Sequence, residues 1–160
     1  MPGTMDIPAK PWPTGLSEQC EPLVRRVLAP NASHYTFTGT QTYIVGAGDE
    51  VAVIDPGPAD DGADSEPSPF KGADTNGKGH VEAILAAVGE ARIGAILCTH
   101  THRDHSPAAT VLKARTGAPI IGCAPLVLSD DGPRADSAFD HSYAPDRVLA
   151  DGERISGPDW

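Results

Sequence analysis

At 160 residues, with 39% hydrophobic and 21% charged side chains, the chain has the size and composition of one loop-rich globular domain, and its 17 Gly and 16 Pro signal many turns. The 22 acidic residues outnumber the 12 basic ones for a net charge of −10, which repels nucleic acid and anionic bilayers at long range. Cys20, Cys98 and Cys123 are too few and too widely spaced for a disulfide framework or a cysteine zinc ribbon, and nowhere do 18 apolar residues run together as a membrane span. A reducing cytoplasm is the expected location; the oligomeric state is left open.

Residues 1–33 read as a Pro-rich N-terminal segment in which Leu23 to Leu28 is the one stretch expected to pack, and residues 34–160 as the domain proper. Tyr35 to Thr38, Thr42 to Val45 and Val51 to Ile54 are short β-branched or aromatic runs broken by glycine turns, the pattern of an antiparallel meander. The last run leads into Asp55-Pro56-Gly57. Residues 58–79 carry no apolar period and read as a surface loop. Val81, Ile84, Leu85 and Val88 then give a helix from His80 to Ala91 one apolar face.

Ile93 to Cys98 is a continuous apolar run, the expected look of a strand covered on both faces. Its end delivers the chain to His100-Thr101-His102-Arg103-Asp104-His105. Ser106 and Pro107 follow as N-cap and first residue of a second helix, which Gly117 stops. Pro119 to Cys123 reads as another strand, and Arg147 to Ile155 as a closing hairpin with Asp151-Gly152 at its turn. Strands alternating with helices define an α/β layout.

Three imidazoles and a carboxylate within six residues are a dense set of metal-ligating groups. In extended backbone, side chains at i and i+2 point the same way, so His100 and His102 can reach one cation. The turn before Ser106 lets Asp104 and His105 point at a second, as co-catalytic metal pairs require. Imidazole nitrogen with carboxylate oxygen suits zinc best, with iron or manganese as alternatives.

This His-x-His-x-Asp-His pattern, between an apolar strand and a helix, resembles the signature of the metallo-β-lactamase superfamily. The resemblance extends back through Thr42 to Val45 and Val51 to Ile54 to the Asp55-Pro56-Gly57 turn. It implies the N-terminal half of an αββα sandwich: a mixed sheet with helices on one face. It further implies a zinc pair held by His100 and His102 on one ion and Asp104 and His105 on the other. By the same resemblance Asp104 would double as the catalytic carboxylate, and Asp55 would stand behind the ligands, orienting one of them or a water. The implied reaction is attack of a metal-activated hydroxide on an ester, thioester, lactam or phosphodiester of a small-molecule substrate. The tail from Ala144 to Glu153 most resembles the β-lactamase-like protein 2 and hydroxyacylglutathione-hydrolase-like branch. Two other readings stand beside this one: a metal-dependent endoribonuclease, which needs a basic groove, and a non-catalytic half-domain.

The superfamily also carries a later Thr-Pro-Gly-His-Thr run, a Ser-Gly-Asp and a last histidine, which complete both coordination spheres. None occurs in this sequence, and His34, His80 and His141 stand in the wrong order or context to replace them. The expectation is therefore an N-terminal part of a longer protein, inactive by itself, whose sheet leaves an apolar face open.

Overall fold

The computed structural model describes residues 13–59, 79–127 and 138–160. Seven strands form one mixed sheet in chain order: β1 (Ser17–Glu21), β2 (Val24–Leu28), β3 (Gln41–Val45), β4 (Glu50–Ile54), β5 (Arg92–Cys98), β6 (Ile120–Gly122) and β7 (Arg147–Val148). Pairing is antiparallel from β1 to β4 and parallel from β4 to β7. Helix α1 (His80–Val88) precedes β5, and α2 (Ala108–Thr116) joins β5 to β6. Both helices pack into one core cluster with the same row of sheet residues, so they lie on one face.

That face holds the core. Ile44, Val53, Ile96 and Ile120 are successive cross-strand partners and all four are buried. Val81, Ile84 and Val88 of α1 and Ala108, Ala109 and Leu112 of α2 pack into the same cluster. Each such Val, Ile or Leu contributes roughly 1.5–3 kcal/mol by leaving water. One residue along, the row Tyr43, Ile54, Leu97, Ile121 points to the opposite face, as the period of two requires. Tyr43 is exposed and the other three are half-buried, so this face is less covered than the core face.

Several elements depart from expectation. The sheet begins with β1 and β2, upstream of residue 34, and not with Tyr35 to Thr38. The latter lie in a tight loop because local side chains compete for their backbone: Ser33 Oγ accepts from the Tyr35 and Thr36 amides, and Asn31 Oδ1 from the Thr40 amide. Phe37 there adopts φ 55°. Helix α1 ends at Val88, three residues early, because Gly89 takes φ 66° and donates its N–H to the Leu85 carbonyl. Helix α2 starts at Ala108 with Pro107 as its cap, already at helical φ −58°. The expected cap, Ser106, gives its hydroxyl to Asp140 Oδ2 at 2.8 Å. At the C-terminus the turn at Asp151-Gly152 forms, with Glu153 N–H on the Ala150 carbonyl, but Arg154 and Ile155 form no return strand. Of the loop expected over residues 58–79, positions 60–78 lie outside the described residues.

Candidate metal centre

Because β4 and β5 run parallel, their C-terminal ends emerge at the same edge of the sheet. There the Asp55-Pro56-Gly57 turn meets the loop from Thr99 to Ser106. Backbone bonds lock the two together: Asp55 N–H to the Leu97 carbonyl, Gly57 N–H to the His105 carbonyl, and Ala108 N–H to the Gly57 carbonyl. Gly57 is required at its position. It sits at φ 85°, and a Cβ there would lie 3.0 Å from the buried His80 ring.

Asp55 adopts φ 49°, uncommon for a residue other than glycine, and its carboxylate has the partners to hold it there. Oδ1 accepts from the Thr99 amide at 2.8 Å, and Oδ2 from the Thr99 hydroxyl at 2.7 Å and from His105 Nδ1 at 3.2 Å. Burial pushes the Asp55 carboxyl up, but these bonds outweigh it and hold it below the usual range. Asp104 Oδ2 lies 3.2 Å from the other ring nitrogen of His105. Burial pushes Asp104 up as well, and His105 more than reverses that. His105, bonded first to Asp104 and then to Asp55, is raised to about 9 against its burial.

The imidazoles gather at one point. The His100 ring lies 4.2 Å from that of His105 and 4.7 Å from that of His102, centre to centre. Burial and the neighbouring imidazoles lower the His100 pKa. His102 is backed by Phe139, ring centres 4.8 Å apart, and pairs with it in an isolated antiparallel bridge. Asp55, His100 and His105 each present a ligand atom within 4.8 Å of the others'. The donor set is therefore the nitrogen and oxygen chemistry of a zinc-type site, and its residues fit a metal ion.

All five residues singled out from sequence stand at this edge. His80 does not: it is buried behind the turn, its Nε2 2.8 Å from Thr42 Oγ1, which donates to the Asp55 carbonyl. His141 is exposed. Sequence reasoning missed Thr99, whose only signal was adjacency to His100, and the segment Ala138–Asp140. The latter carries Phe139 and Asp140 to the loop through Arg103 N–H on the Ala138 carbonyl and Asp140 N–H on the Thr101 carbonyl. Their distance along the chain hid them.

A cluster of histidine and carboxylate side chains at the C-terminal edge of the sheet defines an α/β protein with a candidate metal centre. Residues 35–160 match the family model described as the metallo-beta-lactamase superfamily, and the chain belongs to that superfamily. It is 33% identical over 89 residues to the atrochrysone carboxyl ACP thioesterase of Passalora fulva, covering 56% of this chain and 22% of that protein. It is 55% identical over 40 residues to the protein of the same name from Aspergillus terreus, covering 25% of this chain and 12% of that protein. A HARLDQ-motif mutant of the metallo-beta-lactamase from Cronobacter sakazakii superposes with a TM-score of 0.57 at 18% identity, over 88% of this chain and 50% of that one. The B3 metallo-beta-lactamase BLEG-1 gives 0.51 at 17% identity, over 84% of this chain and 56% of that one. The chain thus spans about a fifth or less of the two thioesterases and about half of the two solved structures, which share its fold.

Proposed function

We propose that the chain supplies the metal-binding edge of a zinc-dependent hydrolase that cleaves small acyl thioesters. The observation that carries this reading is the convergence of His100, His102, Asp104 and His105 at one strand edge, with Asp55 behind them. His100 and His102 would hold one ion and Asp104 and His105 a second. When bound, zinc supplies Lewis acidity and lowers the pKa of water, so that a nucleophile forms near neutral pH. The protein's own contribution is positional. Asp55 fixes the His105 ring through Nδ1, Phe139 backs His102, and the locked turn sets the spacing of the loop from the sheet.

Thioesters are favoured among the superfamily's substrates by the two thioesterases that share sequence with the chain. The resemblance of the tail to the hydroxyacylglutathione-hydrolase-like branch points to the same bond. The net charge of −10 disfavours RNA. The test is thiol release from an acyl-pantetheine thioester by the gene product that carries this chain. Release should require zinc and fall by about 100-fold or more in Asp104→Asn and His105→Ala. Turnover untouched by a chelator, or no turnover of any ester or thioester, refutes the proposal.

A further inference from the structure

Thr99 stands between the carboxylate of Asp55 and the ring of His100, and the chemistry of its single hydroxyl proton decides how that ring is oriented. Asp55 Oδ2, 2.7 Å from Thr99 Oγ1, belongs to an ionised carboxylate, which can only accept. The hydroxyl proton therefore goes to Asp55. Thr99 Oγ1 then offers only lone pairs to His100 Nδ1, 2.9 Å away, so this nitrogen must be the donor. The proton sits on Nδ1, and the lone pair of the neutral ring is on Nε2. The Thr99 amide, 2.8 Å from Asp55 Oδ1, fixes the threonine relative to the same carboxylate, so the relay does not depend on one rotatable bond.

We propose that Thr99 is a positioning residue that sets the tautomer of His100 and presents its Nε2 as a metal ligand. The proposal rests on the metal-site reading above. Asp55 thereby governs two histidines, His105 directly through Nδ1 and His100 through the Thr99 hydroxyl. The grouping of Asp55, His100 and His105 is accordingly a hydrogen-bonded support for ligands, with both carboxylate oxygens already engaged, more than a three-ligand cage. A carboxylate or carbonyl acting directly on a ligand histidine is the usual arrangement of such supports. Here the hydroxyl extends its reach by one bond.

Two measurements on the gene product that carries this chain test this. In metal-free protein at mildly alkaline pH, long-range proton–nitrogen-15 correlation spectra should show His100 as the Nδ1–H tautomer. In Thr99→Val, which keeps the shape and removes the hydroxyl, this tautomer should be lost, while Thr99→Ser should retain it. Zinc affinity, read by competition with a chromophoric chelator, should fall about 10- to 100-fold in Thr99→Val and return to within about threefold of wild type in Thr99→Ser. A wild-type His100 in the Nε2–H form overturns the proposal, as does a Thr99→Val protein that binds zinc as wild type does, or a serine variant as weak as the valine. A wild-type gene product that binds no zinc overturns the metal reading and this proposal with it, whereas zinc binding indifferent to Thr99 overturns this proposal alone.

Discussion

His80 is a buried, neutral histidine whose only ordinary way to gain charge is to lose its place, and acidification measures what that place is worth. It is 1% exposed, and burial lowers its pKa to about 4 from 6.5. Thr42 Oγ1 donates to the Asp55 carbonyl, so it accepts from His80 Nε2. A base whose folded pKa is depressed is bound by a proton first in the unfolded chain, so stability is whole above pH 6.5 and drains as pH falls toward 4. At about pH 4.5 the unfolded histidine is almost fully protonated and the folded one is mostly neutral, a difference of roughly 2.5 kcal/mol. The assay is urea unfolding in the presence of chelator at about pH 7 and about pH 4.5, for wild type and His80→Gln. Glutamine keeps an N–H donor for Thr42 and cannot titrate. His100, lowered mainly by burial, drains stability in the same window in both proteins. Asp55 and Asp104, held below 3.8, lose their contribution only below that pH. The wild-type loss should therefore exceed that of His80→Gln by about 2 kcal/mol or more. Parallel losses in the two proteins would refute the assignment of a buried neutral His80.

On the alkaline side the sign reverses. His105, raised to about 9 by Asp104 first and Asp55 second, stabilises the metal-free fold fully below pH 6.5 and less as pH rises through 9. Thermal melts in chelator should fall across that range in wild type and show a shallower fall in Asp104→Asn; identical slopes would count against the pairing. Gly122→Ala is expected to lower stability by at least about 2 kcal/mol, because its Cβ would stand 2.3 Å from the Cys98 carbonyl oxygen, a backbone atom of β5 that cannot swing aside. A urea midpoint matching wild type would show that β5 and β6 are not so closely apposed.

The parts of the fold legible in the sequence are those whose signal is periodic and local. Val81, Ile84 and Val88 announced α1 by their helical spacing, and the unbroken apolar run before His100 announced β5. The loop at Asn31 to Thr40 was misread for a physical reason. Tyr35 and Phe37 have strand propensity, but Ser33, Asn31 and Thr36 bond the backbone locally, and a propensity scale does not register that competition. Strand β1 was illegible because Ser17–Glu21 is exposed throughout and carries no apolar alternation; it is held by its ladder to β2. At the site, the ligand cluster was written in six consecutive residues, whereas Phe139 and Asp140 reach it only through tertiary pairing.

The change of strand direction at β4 explains why Asp55 can act on this loop at all. In the meander from β1 to β4, successive strands reverse, so the residue following one strand lies at the opposite edge from the residue following its neighbour. Between β4 and β5 the pairing turns parallel, with Ile54 opposite Leu97. Asp55 and Thr99 then leave the sheet together, and the carboxylate meets both the amide and the hydroxyl of Thr99 within 2.8 Å. An antiparallel β5 would have carried the histidine loop to the far edge and left Asp55 buried without donors. At 8% exposure, an unpaired carboxylate costs several kcal/mol or gives up its charge. The crossover through α1 is thus the step that turns a turn residue in a strained conformation into a support for two histidines, and the strain at φ 49° persists because the Thr99 and His105 bonds over-determine it.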